Sequence, residues 1–451
     1  MKYKKLLYTA FVVFFATAIL AIIYSGKKKE TEIPKLKERQ GAIALGSEWL
    51  NTKKAINELE YQIESNPDNA KLQLQLAMGY IQEARITGDF TYYDGAALRL
   101  INKVLEKDSM NFEALCCKSS IMLSQHHFAD ALPIALKAQK INPYNAYVYG
   151  NMCDAYVETG NYTEAIKAAD KMNELRPDRS SYARVSYLRE ILGNYPGAIE
   201  AMKMAVEAGM PGTEGSEWCR VQLGHLYEKT GDKSNAEKQY QSSLAYRPKY
   251  AYALAGMGRI LKSQGRCNEA LVYFTDADVM VKDYSFKDEL YECYHLSNQP
   301  EKAKKALDEA IKTLSDDATA ANSDQSIGHY ADRELAYMYI KAGDLDKALD
   351  HALMEYNRRP DNIDVNETVA WVYYNRGEYN NALNYIVPAL KTRSLNAELL
   401  GRASLIYQKN NLNESAVKLA KIALRINPDL HKELADSIKK NVLMNNLTAA
   451  R

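Results

Sequence analysis

Apolar side chains recur along this chain with the period of a helix, in short blocks broken at regular intervals. The pattern is clearest between Ala146 and Pro177. Tyr149, Met152, Cys153 and Tyr156 fall at i, i+3, i+4 and i+7, which gathers them on one helix face. Gly160 and Asn161 interrupt the run, because both residue types tolerate the left-handed backbone that ends a helix. Ala165, Ala169 and Met172 mark a second helix face at i, i+4 and i+7, and Pro177 stops it by withholding an amide donor. The pattern predicts two short helices joined by a tight turn, neither with a core of its own.

The same spacing returns down the chain. Nine residues separate Tyr156 from Ala165, Tyr227 from Ala236, Tyr294 from Ala303, Tyr339 from Ala348, Tyr373 from Ala382 and Tyr407 from Ala416. Gly160, Gly231, Asn298, Gly343, Gly377 and Asn411 each follow their tyrosine by four. Ala131, Ala198 and Ala270 extend the alanine series, whose steps are 33 or 34 residues except for two of 38 and 45 that read as insertions. A period of this length, held in phase through six units, resembles the tetratricopeptide repeat family, whose unit is a helix-turn-helix of about 34 residues. The resemblance implies an all-α, right-handed superhelix in which hairpins stack on one continuous core.

The flanks set the rest of the organisation. Met1 to Lys5 is basic, and residues 6–24 are apolar apart from two threonines. A run of that length predicts an N-terminal transmembrane anchor, or a signal sequence, over residues 1–26. Basic residues on both sides leave the membrane face open, with a lean towards a cytoplasmic repeat domain and an exported one as the alternative. Residues 27–40 read as a charged linker. About ten repeat units are expected over 41–430, beginning with a degenerate unit from Gly41 to Pro67. The Gly- and Pro-bearing stretch from Ala208 to Glu217 and the Ser, Asp, Ala and Asn stretch from Leu314 to Ile327 read as loops. Past Pro428, Leu434, Ile438 and Val442 share one stripe, so residues 431–451 are expected to hold a capping helix and a tail.

Charge and reactive side chains narrow the function. Lys plus Arg is 58 and Asp plus Glu is 57, a balance that gives no global field for nucleic acid. The six cysteines include no CxxC pair and are expected to be structural. None of the seven histidines forms a ligand pair on one helix face, and His126 and His127 read as surface residues of a turn. Gly256-Met257-Gly258 lacks the third glycine of a dinucleotide loop, so the two glycines are expected to let helices approach closely. No catalytic, metal or cofactor site is nominated, and the chain reads as a non-enzymatic binding protein.

The resemblance also says where binding would occur. In similar repeats the first helices line the concave side, and ligands touch fixed positions of each unit. Matched by each unit's alanine, the second position holds Tyr147, Trp218, Tyr252 and Tyr330. The ninth holds Asp154, Tyr187, His225, Arg259, Tyr337 and Trp371, and the sixth holds Asn151, Arg184 and Gln222. Rigid aromatics among these suit peptide contacts, although several could instead pack on the neighbouring unit. Chaperone-binding members clamp a peptide carboxylate with five residues; Asn151 and Arg184 match two, while Cys116, Ser120 and Ser180 stand at the others, which argues against that clamp. The expectation is a protein-binding scaffold that holds a peptide or helix of a partner at a membrane. The alternatives are a self-assembling structural protein, with homo-oligomers, and an accessory subunit of an envelope enzyme.

Overall fold

The computed structural model describes residues 11, 14–17, 19, 35–323 and 328–444. Among these residues the chain is all-helical, without strands. A short 3₁₀ turn (Gly41–Ala44) leads into α1 (Ser47–Ser65), and ten helix pairs follow. They are α2 (Ala70–Thr87) with α3 (Phe90–Lys107), α4 (Phe112–Ser124) with α5 (Phe128–Ile141), and α6 (Ala146–Glu158) with α7 (Tyr162–Leu175). Next come α8 (Arg179–Ile191) with α9 (Tyr195–Glu207), α10 (Glu214–Lys229) with α11 (Lys233–Tyr246), and α12 (Ala251–Ser263) with α13 (Cys267–Met280). The last four pairs are α14 (Tyr284–Leu296) with α15 (Pro300–Ser323), α16 (Asp332–Ala342) with α17 (Leu345–Arg358), α18 (Ile363–Asn375) with α19 (Tyr379–Ala389), and α20 (Ala397–Lys409) with α21 (Asn413–Ile426). Helix α22 (Lys432–Ile438) runs into a π turn (Lys439–Met444) and ends the solenoid.

Local chemistry explains the hairpins. Asn145, Asn161, Asn194, Asp232, Asp344 and Asn362 cap helices by accepting from amides of the first turn. The six turn residues named from the sequence all take positive φ, from Gly160 at 82° to Asn298 at 54°. Each alanine of the repeat series is buried, eight of the nine fully, because that site is where the two helices of a pair meet. Gly256 and Gly258 sit against the rings of Tyr240 and Phe274, where a Cβ would come within 2.6 Å, so the close approach read from the sequence holds. All six cysteines are buried and free.

Successive turns of the solenoid touch. The turn between α2 and α3 meets the loop before α14, where the Lys282 amide donates to the Thr87 carbonyl at 3.1 Å. The turn after α4 meets the loop before α16, with the Tyr330 amide donating to the Gln125 carbonyl at 3.1 Å. The turn after α6 meets the loop before α18, with Tyr162 Oη accepting from the Ile363 amide at 3.0 Å. Gly193 then lies against Arg393 and Leu395, and Gly231 against Pro428. Five consecutive contacts, each joining a pair to the loop six pairs on, form a seam along which the superhelix closes on itself. Arg359 bridges Glu158 and Glu355 across it, and Ile363 joins the apolar core of the earlier turn.

Four expectations change. His126 and His127 are not surface residues: they lie in the seam, where His127 Nε2 donates to the Gly328 carbonyl at 2.8 Å and its ring stacks on Tyr330 at 4.0 Å. The stretch from Leu314 to Ser323 is the end of α15 and not a loop, because Leu314 is buried and the alanines favour helix; residues 324–327 lie outside the described residues. The unit expected from Gly41 to Pro67 has no first helix, and its one long helix packs on α2. Last, the single-pass anchor and the membrane localisation drawn from it are corrected. Among the described residues no helix is long and apolar enough to cross a membrane, and most of residues 6–24 lies outside the described residues.

Candidate functional site

A cavity of about 870 Å³ lies in the lumen of the superhelix. Its walls come from α8, α10, α12, α14, α16, α18 and α20, each the first helix of its pair, and α22 closes one end. This follows from the repeat. A first helix packs its small, apolar stripe outwards on its partner, which turns its aromatic and charged positions inwards.

The thirteen residues nominated from the sequence separate in this frame. Tyr187, Tyr337 and Trp371 line the cavity, all three from the ninth position of their units. The other ten do not line it. Asp154 and Arg184 form an ion pair, and Arg184 Nε also donates to the Gly150 carbonyl at 3.2 Å. Asn151 is buried and donates to the Cys116 carbonyl at 2.9 Å. His225, Arg259, Glu228 and Tyr240 form one network, in which burial and the Arg259 charge push the His225 imidazole well below its ordinary value. Tyr252 packs on Tyr250 and Phe286. Tyr147 and Trp218 are exposed and Gln222 is half-buried. Tyr330 belongs to the seam, sandwiched between His127 and the Arg358 guanidinium at 3.9 Å.

The cavity wall alternates rings and charges. Trp371 stacks on Tyr374 at 4.9 Å, with planes 7° apart. Arg402 lies over Trp371 at 5.1 Å and Tyr337 at 5.2 Å, and donates to Tyr337 Oη and Glu367 at 2.9 Å each. Lys341 bridges Asp288 and Glu292, and His431 at the start of α22 reaches Glu292 Oε2 at 3.1 Å. Burial pushes the Glu367 carboxyl up, although Arg402 opposes it. Burial would lower Arg333, yet Asp364, Tyr337, Glu334 and Glu367 hold it well above the ordinary guanidinium value. The carboxylates of α14 and α20 and the α22 contacts were not nominated from the sequence. The α14 carboxylates Asp288, Glu289 and Glu292 hold the fifth, sixth and ninth positions of the unit of Ala303, and Glu398 the second position of the unit of Ala416, so the same count carried through those units would have found them; the reach of His431 depends on how the solenoid curves.

Two family models, each described as a tetratricopeptide repeat, match residues 122–188 and 219–250. Over those residues this chain carries tetratricopeptide repeats. It is 26% identical over 162 residues to a TPR repeat-containing protein of Methanocaldococcus jannaschii, a match covering 34% of this chain and 28% of that protein. It is 33% identical over 107 residues to Superkiller complex protein 3 of Mus musculus, covering 23% of this chain and 7% of that one. The matches therefore span under a third of either relative's length. Among solved structures, the human IFIT1 dimer with m7Gppp-AAAA resembles it with a TM-score of 0.47 at 14% identity, over 77% of this chain and 78% of that one. Tetratricopeptide repeats are scaffold-type elements suited to protein–protein interaction.

Proposed function

We propose that this chain is a non-enzymatic scaffold that binds a segment of a partner protein in the lumen of its superhelix. The observation that carries the reading is the cavity of about 870 Å³ walled by first helices, with Tyr187, Tyr337 and Trp371 among its aromatic faces. Such side chains bury large areas at small cost in rotamer entropy, which is what recognition of an extended peptide needs. The closed seam adds rigidity. A lumen already ordered before binding spares the partner much of the ordering cost that a loose solenoid would charge.

The test is a photocrosslinking amino acid placed at Trp371 in the full chain, with a second placement at the exposed Tyr144 as control. A protein other than this chain, crosslinked from Trp371 and not from Tyr144, supports the reading. Crosslinks only between copies of this chain would favour a self-assembling structural protein, and crosslinks to RNA would overturn the protein-binding reading.

A further inference from the structure

The charges of the lumen do not cancel. Nine carboxylates line the cavity against five lysine and arginine side chains. Four of the five cations are already committed within the wall: Lys229 to Glu190, Lys262 to Glu289, Lys341 to Asp288 and Glu292, and Arg402 to Glu367. The carboxylates of Glu334, Asp364, Glu398 and Glu433 accept no hydrogen bond among the described residues. Their nearest basic side chains are Arg333 at 3.8 Å from Glu334, Arg402 at 3.7 Å from Glu398 and the His295 ring at 3.6 Å from Glu433, while Asp364 has none within 4.0 Å. One Glu334 oxygen is buried without a partner. Arg333 is the single lumen lysine or arginine that makes no hydrogen bond among the described residues, and of the four it feels the charges of Asp364 and Glu334. An entering polyanion would meet a wall short of free donors and rich in like charge. An entering cation would meet free acceptors and exposed ring faces.

Resting on the reading that the lumen binds a protein segment, we infer that the segment is cationic, carrying Lys or Arg side chains that pair with Asp364 and Glu398 and stack on the lumen aromatics. The wall already shows both contacts made by its own residues. Arg402 pairs with Glu367 while lying over Trp371 and Tyr337, and Lys341 pairs with Asp288 while lying 5.4 Å over Tyr291. Guest guanidinium or ammonium groups would repeat that arrangement at the carboxylates left over. Charge surplus in an enclosed space also draws such a guest towards it before contact, since low-dielectric walls focus the field.

The full chain is tested by selection from a random phage-displayed peptide library, with peptides of about twelve residues spanning roughly 40 Å when extended. Selected peptides should carry Lys and Arg at about twice the library frequency or more, and bind more weakly as salt rises. Their affinity should fall about tenfold in the double variant Asp364→Asn with Glu398→Gln, and less than about twofold in Glu301→Gln on the outer face. Neither lumen substitution changes side-chain volume, so an unchanged circular dichroism spectrum and melting temperature would separate lost charge from lost fold. Peptides without cationic bias that still depend on Trp371 would overturn this inference and leave the protein-binding reading standing. A library that yields no binder, while a single-stranded oligoadenylate binds and loses affinity in Trp371→Ala, would overturn both.

Discussion

Gly160 and Asp361, 201 residues apart, lie so close that a Cβ on the glycine would come 2.2 Å from the Asp361 carbonyl oxygen. Gly160 also holds φ at +82°, the left-handed region. Gly343 takes nearly the same backbone, at +77°, but nothing lies within 4 Å of its missing Cβ. The two glycines do the same local work in their turns, and only Gly160 sits in the seam.

That difference gives a paired prediction. Gly343→Ala should cost about 1 to 2 kcal/mol, the strain of a left-handed alanine. Gly160→Ala carries the same strain and must also push the Asp361 backbone away, so its denaturation midpoint should fall clearly further. Small-angle scattering should show that Gly160→Ala alone lengthens the particle as the seam parts. Equal midpoints and equal scattering would mean that the turn-to-turn contact does not hold in solution.

The same pair shows what the sequence could and could not say. Repeat identity is local: tyrosine, glycine and alanine at fixed offsets carry the helix faces, the turn and the helix-to-helix contact, and each was legible. The seam is not local. It depends on a pitch that accumulates from small rotations between neighbouring units, set by packing volumes rather than by any motif. Glycine at the turn reads the same with or without a neighbour six units on. For that reason His126 and His127 looked like surface residues, and Tyr330 looked like a groove residue. Ninth-position side chains were better placed, since their direction follows from helix phase alone; Tyr187, Tyr337 and Trp371 reach the lumen, while Asp154 and Arg259 are held by ion pairs with other residues of the chain.

The alanine series makes a second prediction. Ala165 and Ala270 are fully buried where paired helices meet, so no space exists for a larger side chain. Ala165→Leu and Ala270→Leu should each destabilise by about 1 to 3 kcal/mol. Lys439→Ala, at an exposed site in the final turn, should fall within about 0.5 kcal/mol of the parent. Urea denaturation of the three variants checks this, and equal midpoints would mean the repeat phase is misassigned.

A buried carboxyl supplies the third. Asp94 is 1% exposed, and its one hydrogen bond among the described residues comes from Ser124 Oγ at 2.7 Å. Burial pushes its pKa up to about 7, with Ser124 and Arg85 opposing. Because the folded value lies above the unfolded one, the folded chain holds this proton more tightly. Its contribution to stability is best at low pH and declines as pH rises from about 4 through 7. Asp94→Asn keeps the shape and removes the titration. The variant should therefore match the parent near pH 4 and exceed it at pH 8, by about 2 kcal/mol or more. A gap that does not grow with pH would mean Asp94 stays ionised in the fold.

The contact between α22 and α14 gives the last, with a slope of the same sign in a higher pH window. The hydrogen bond to Glu292 raises the His431 imidazole above its ordinary value, against a smaller lowering from burial and from Lys262. Glu292 itself is held well below the carboxylate range: burial would raise it, but His431 and Lys341 outweigh that. Glu292 therefore stays ionised throughout the neutral range, and only the histidine titrates there. A folded pKa above the unfolded one stabilises the protonated state. The contribution is complete below about pH 6.5 and disappears as pH rises through the folded value. His431 is more than a third exposed, so solvent keeps the effect under about 1 kcal/mol. The melting temperature of the parent should exceed that of His431→Gln at pH 5.5 to 6, and the two should converge by about pH 9. Since the pair ties the cap across one end of the lumen, a ligand that threads through that end should enter faster in His431→Gln at pH 6 and at the parent's rate at pH 9. A melting gap that stays constant across this range would show that His431 and Glu292 are not paired in solution.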